Sequence, residues 1–412
     1  MNSETAPRDQ VDAAIHAAVD GGGLAGAATL IWRGGRVVRV GAAGWRDVKA
    51  RLPIDRDTIF RIASLSKPIT TAAALQLLEE GRFALDDPIS TWAPEFADSR
   101  VLRASDGAID DTLPAVRPIT FDDLLTHRAG LTYGSFHQGP LAAAYADALG
   151  GDIDSHVVPD DWIARLAALP LVGQPGAAFH YGVSTDLLGL LVARMDAAPL
   201  GDVLRRRIFE PLGMNDTAFV VPRDRRHRCA GAYGFDDAGK LTKLTTAPGN
   251  AFLMERPDDM RFTSGGAGLW STLDDFLAFA RMFIGGGTVD GVRVLRPETL
   301  ALMTTNQLTP DQRAHSTLLG RRPFATGHGF GMGVAVVVEP ESAAPTPCGG
   351  GAGSVGWPGA YGGWWRADPS DGSVLVFLAH SMVTLEQLSR GIGLDVFSAI
   401  FQFQQAARTA SR

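Results

Sequence analysis

Ser64 and Lys67 stand three residues apart in the stretch RIASLSKPIT, in a chain with only four lysines against 34 arginines. A serine hydroxyl is a poor nucleophile until a neighbouring base takes its proton, so a serine hydrolase must hold such a base within hydrogen-bond reach. Residues i and i+3 of a helix share a face. Pro68 says where this helix begins: deeper inside, its ring would clash with the carbonyl of Ser64, so it belongs in the first turn. A helix starting at Ser64 turns the Lys67 amine back toward the hydroxyl. That start also offers unpaired backbone N–H groups and a positive dipole end, which suit a developing oxyanion. Twenty serines and four lysines in 412 positions give about 0.2 such pairs by chance. An N-cap serine followed by a surface lysine would show the same spacing, so other residues must decide.

A lysine with an ordinary pKa of about 10.4 needs help to act near neutral pH. A tyrosine hydroxyl nearby would let the two groups share a proton. The chain has five tyrosines: Tyr133, Tyr145, Tyr181, Tyr233 and Tyr361. Tyr181, in PGAAFHYGVSTDLLG, sits between a Pro-Gly turn and a helix start capped by Ser184 or Thr185, where a polar tip can enter a cleft. Tyr145, among alanines, reads as packing. Tyr133, in HRAGLTYG, fits packing and site lining equally. Asp186 reads as a cap for the TDLLGLL helix ahead of a brace for the tyrosine loop. A Gly-x-Ser-x-Gly elbow is absent; the near misses at Ser354 and Ser381 lack the strand-to-helix context that motif requires. Nine histidines show no His-Glu-x-x-His or similar spacing, so no metal is expected.

The elements that must position these groups follow from periodicity. Residues 9–20 read as a helix and 27–40 as a glycine-turned hairpin. From about 60 to 320 the pattern is helical, with caps such as Thr120 and Ser271 ahead of paired aspartates. Strands return in GHGFGMGVAVVVE, YGGWWRAD and SVLVFLAHS, with Trp364 and Trp365 packing on opposite faces or one of them lining an acyl pocket. A last helix runs from about 384 to 406, and 341–356 reads as a flexible loop. Strands at both ends with helices between imply an α+β fold: an antiparallel sheet assembled from the two termini, with a mainly helical insertion. The expected domains are 1–60 with 325–412, and 61–324, with the site in the cleft between them.

A formal net charge of -7 argues against nucleic acid as a partner, and the arginine clusters at 205–207 and 223–228 read as solvated surface. Cys229 and Cys348 are too few for a disulfide framework and read as free thiols. No apolar run approaches the ~20 residues that span a bilayer. The first twenty residues lack a basic start and long apolar segment, which points to a soluble, cytoplasmic protein. Oligomeric state is not legible.

Ser64-x-x-Lys67, KPITTAAALQLLEEGRFALDDPIS, LLTHRAGL, HYGVSTDLLG with Tyr181, GGAGLWST and WPGAYGG occur in an order that resembles the class C β-lactamase superfamily. Within it the chain is most similar to the family VIII carboxylesterases, from about residue 10 to 400. The resemblance implies a β-lactamase-like fold, Ser64 as the acyl-accepting nucleophile, and Lys67 with Tyr181 as the proton-transfer pair. It also implies an oxyanion hole from the backbone N–H groups of Ser64 and Ala360. Where the β-lactamases have Tyr-x-Asn this chain has Tyr181-Gly182-Val183, and where they have Lys-Thr-Gly it has Trp357-Pro358-Gly359. Loss of that lysine removes a partner for a substrate carboxylate and favours neutral esters. Pro358 departs from the Trp-Gly-Gly of the similar esterases, and the strand tolerates it only if position 358 faces away from its partner.

The expected activity is therefore cofactor-free hydrolysis of small-molecule, short-chain carboxylic esters through an acyl-enzyme on Ser64. Tyr133, Phe136, Trp357, Gly359 and Tyr361 are the expected lining of the substrate site. The alternatives are a β-lactamase, a D-Ala-D-Ala peptidase or an acyltransferase on the same scaffold, and beyond those a non-catalytic binding protein.

Overall fold

The structure is a computed structural model that describes residues 10–104, 106–244, 261–318, 320–344, 346 and 349–409. Its centre is an eight-stranded antiparallel sheet. The first three strands are β1 (Gly26–Arg33), β2 (Arg36–Asp47) and β3 (Leu52–Pro53). The other five come from the far end of the chain: β4 (His328–Phe330), β5 (Ala335–Val337), β6 (Val355–Pro358), β7 (Trp364–Asp368) and β8 (Ser373–Ala379). The spatial order is β4-β5-β6-β7-β8-β1-β2-β3, and β1 pairs with β8 from Ala27↔Ala379 to Arg33↔Ser373. The N-terminal hairpin thus completes a sheet begun more than three hundred residues later.

Alternation along the strands divides the core in two. Ala27, Ile31, Trp364 and Phe377 face helices α1 (Gln10–Asp20) and, at the other end, Leu394–Thr409, where Phe403 and Ile400 meet them. Ala28, Leu30, Trp365 and Val376 face the opposite way into the larger core under the helical region. In that region α2 (Ser66–Glu79) is buried almost all round, as a helix with no polar stripe must be. It lies against α3 (Ser184–Asp196), and α4 (Leu273–Ala280) covers the sheet near β8.

Several local expectations need correction. The α-helix begins at Ser66, not Ser64; a 3-10 turn over Ala63–Leu65 leads into it, and Pro68 is still within the first turn. The cap of α4 is Thr272, whose hydroxyl accepts the Asp275 N–H, because Ser271 is spent in strand pairing. No side chain caps α3, which Val183 precedes. The C-terminal helix is broken into Leu385–Ser389 and α5 (Leu394–Thr409), with left-handed glycines at Gly391 and Gly393 between them. The supposed loop 341–356 opens within a short helix, Pro340–Ala343, and closes in β6, while Cys348 lies outside the described residues.

The arginine clusters are paired at the surface, Arg207 with Asp196 and Glu80, and Arg228 with Asp216. Arg61 and Arg366, by contrast, are buried. Arg61, three residues before Ser64, is buried with Asp154 at 2.8 Å, and its guanidinium carbon lies 5.6 Å from the ring centres of both Trp270 and Tyr361. Removing one member of such a pair leaves an uncompensated buried charge. Asp154→Ala is expected to lower unfolding free energy by about 3–5 kcal/mol, read as a lower urea midpoint at unchanged m-value.

Candidate active site

The chain approaches Ser64 as a strand. Phe60–Arg61 pairs with Trp270–Ser271, then turns at Ala63, whose φ of +45° lies in the left-handed region. That conformation costs an alanine about 1–2 kcal/mol. It is held by burial of Ala63 in a small cluster with Ala232 and Tyr361. The serine therefore sits on a strained strand-to-helix turn with 8% of its surface exposed. In the turn that follows, the first N–H to find a carbonyl within the turn is that of Leu65, bonded to Ile62 O, which leaves the Ser64 amide ahead of the helical ladder.

Lys67 is completely buried. Its Nζ donates to Ser64 Oγ at 3.3 Å, Tyr133 Oη at 3.0 Å and the carbonyl of Gly266 at 2.9 Å. Three N–H bonds find three acceptors, which is the full capacity of the group. The phenol bonded to Lys67 is thus Tyr133, the residue whose sequence fitted packing and site lining equally. Tyr181 meets Lys67 through its ring, with Nζ 4.6 Å from the ring centre, and its Oη accepts the indole N–H of Trp357 at 2.8 Å. Gly182 is what permits this: a Cβ there would lie 2.3 Å from the backbone of Thr132, so the two tyrosine segments could not otherwise lie side by side.

Behind Tyr133 stands Asp186, whose Oδ2 accepts the phenol at 3.5 Å and whose Oδ1 accepts the Gly266 N–H at 3.1 Å and the Ser264 hydroxyl. The carboxylate braces the site and is not a helix cap, a correction to the local reading. Burial, and then the nearby Asp186, holds the Tyr133 pKa well above 10, so its hydroxyl stays protonated. Burial raises the Asp186 pKa, an effect that Lys67 opposes. His127, whose ring lies tilted against Tyr181 at 4.8 Å, is held neutral by burial and secondarily by Lys67.

On the far side, β6 ends against the Ser64 turn. A Cβ on Gly359 would fall 2.7 Å from Ile62 O and 2.9 Å from Leu65 Cδ1, so only glycine lets the chain after β6 come alongside that turn. Gly359 N–H donates to Gly363 O. The alternation of an antiparallel ladder therefore makes Pro358↔Trp364 a non-bonded pair, and turns position 358 toward β5, whose pairing with β6 stops at Ala335↔Gly356. The proline costs the sheet no hydrogen bond.

Trp357 is buried between Tyr181 and Phe330, and Phe136 lies half-buried with its ring 6.2 Å from that of Tyr181. Tyr361 is fully buried against Arg61 and Ala63, beneath the site. A cavity lined by Ile163, Leu190, Arg194, Phe219 and their neighbours does not include Ser64. No group of three metal-ligating side chains occurs among the described residues. Ser264, Gly266 and His127 escape a local reading because their roles arise from contacts with residues more than fifty positions away; the segment LLTHRAGL was the one available signal for His127.

Comparison with known proteins gives a consistent picture. A family model described as beta-lactamase matches residues 11–395. Esterase EstB of Burkholderia gladioli is 30% identical over 394 residues, covering 90% of each chain. A lovastatin esterase of Penicillium rubens is 32% identical over 319 residues, covering 74% of each. Among solved structures, EstCE1, described as a hydrolase with promiscuous acyltransferase activity, superposes with a TM-score of 0.75 at 29% identity, covering 95% of this chain and 97% of its own. The site geometry carries its own test. Gly359→Ala pushes the end of β6 off Ile62, and steady-state kinetics on an activated ester should show kcat reduced about a hundredfold, the scale of one lost oxyanion donor.

Proposed function

The chain belongs to the beta-lactamase family, and from that premise we propose that it is a serine carboxylesterase acting on short, uncharged esters through an acyl-enzyme. The observation that carries this reading is the 3.3 Å approach of a buried lysine amine to Ser64 Oγ. In the proposed cycle, Lys67 in its amine form takes the Ser64 proton as Oγ bonds to the ester carbonyl carbon. The amides of Ser64 and Ala360 receive the oxyanion. The bond to the leaving alkoxide then breaks as Lys67 returns the proton to that oxygen. Water repeats the sequence on the acyl-serine and releases the acid. Tyr133, kept protonated, serves as a fixed acceptor that aims Lys67.

The preference for neutral esters rests on the absence of a spare cation. Among the described residues at the site, Lys67 is saturated by three acceptors and Arg61 is paired with Asp154, while Trp357 occupies the position of the family's lysine and spends its N–H on Tyr181. A substrate carboxylate would find no partner there. Acyl transfer to an alcohol is a second reading, supported by the low exposure of Ser64, which limits access of water.

Brief exposure to p-nitrophenyl acetate followed by peptide mass spectrometry should find one acetyl group on the peptide containing Ser64, and none in Ser64→Ala. The kcat/KM for this ester should exceed that for a chromogenic cephalosporin by at least about a hundredfold. Equal turnover of the two, or undiminished ester cleavage by Ser64→Ala, would sink the proposal.

A further inference from the structure

Asp186 takes no part in the acyl transfer just described, yet it touches most of what holds Lys67. Two of the three acceptors around Nζ, the Tyr133 hydroxyl and the Gly266 peptide, are themselves bonded to this one carboxylate. The residue is fully buried in the first turn of α3, where the dipole end favours negative charge. Gly266 is fitted to it: a Cβ at that position would lie 2.7 Å from Asp186 Oδ2. Ser264 donates to the same oxygen as Gly266 and accepts the Ala267 N–H at 2.9 Å, locking the 264–267 turn onto the carboxylate.

We propose that Asp186 is a positioning residue that fixes the Tyr133 hydroxyl and the Gly266 carbonyl around Lys67 and supplies the negative charge facing that amine. The inference rests on the esterase reading above. Aspartate suits this role because its two oxygens accept all three N–H and O–H donors at once, Oδ1 taking two and Oδ2 one. Asparagine has one acceptor oxygen and would press an NH2 group against a hydroxyl or an N–H. The charged and titratable groups around the carboxylate are Lys67 from α2, Tyr133 and Asp152 from the segments before α3, and, one layer out, Tyr181 and His127. Asp152 is a like charge and Lys67 the only cation among these; burial raises the Asp186 pKa and the attraction of Lys67 opposes it.

A residue that aims Nζ acts on the chemical step, so its loss lowers kcat and leaves KM in place. A residue that merely filled space would loosen the whole site and move kcat and KM together.

The test is the full chain carrying Asp186→Asn, assayed with p-nitrophenyl acetate. The expected result is a kcat reduced about 10–100-fold with KM within about threefold of wild type. A folded variant whose kcat matches wild type, or whose KM rises by as much as its kcat falls, overturns the proposal. Should Asp186→Asn fail to fold, Ser264→Ala removes one donor to the carboxylate while keeping its charge. A kcat about three- to tenfold lower at constant KM then supports the role, and wild-type kcat overturns it. Labelling of Ser64 by a fluorophosphonate separates the two layers. A wild-type protein that does not label overturns the esterase reading together with this one, whereas normal labelling with wild-type kcat in Asp186→Asn overturns only the positioning role.

Discussion

Everything in this molecule near Ser64 is arranged around one costly object, a lysine amine with no contact with water. Burying such a group is unfavourable by several kcal/mol unless its donors are all accepted. Here the acceptors come from three different parts of the chain: Ser64 one turn back on the same helix, Tyr133 on the loop after residue 130, and Gly266 on the turn before α4. Remove any of the three and the amine loses both its compensation and its aim. The proposed chemistry uses the same three contacts, so the arrangement that makes the lysine tolerable also makes it useful.

The fold supplies this arrangement by rigid approach of backbones. Ala63 accepts a left-handed turn so that a strand can deliver Ser64 directly into a helix. Gly359 and Gly182 lack side chains where a Cβ would collide with Ile62 O and with the Thr132 backbone. Arg61, sandwiched between Trp270 and Tyr361 and paired with Asp154, ties the same turn to residues ahead of α3 and to the loop after β6. The sheet, closed by the N-terminal hairpin against β8, holds β6 in place at its other side.

The proximity of Ser64 and Lys67 was legible because it is local: a helical spacing and a proline with a steric limit. The helix start was displaced by two residues, since a 3-10 turn obeys the same proline constraint. The terminal strands were legible from alternation, and Trp364 and Trp365 do enter opposite cores. What could not be read was partnership across long separations. Tyr133 lies 66 positions from Lys67 and Ser264 lies 78 from Asp186, and nothing in either local sequence names the other. Asp186 was misread as a cap because cap statistics describe the backbone of its own helix, whereas its real acceptor duty is tertiary. Loss of the family lysine at Trp357 was visible as a missing charge; that its indole N–H would be taken up by Tyr181 was not.

The central claim is that the buried amine, and not the geometry of the turn alone, makes Ser64 a nucleophile. Lys67→Met keeps the volume of the side chain and removes the amine, leaving Tyr133 its bond to Asp186. Stopped-flow measurement of the acylation of Ser64 by p-nitrophenyl acetate tests the claim most directly. A folded variant whose acylation rate falls by about a thousandfold or more agrees with the account; acylation within about tenfold of wild type would contradict it.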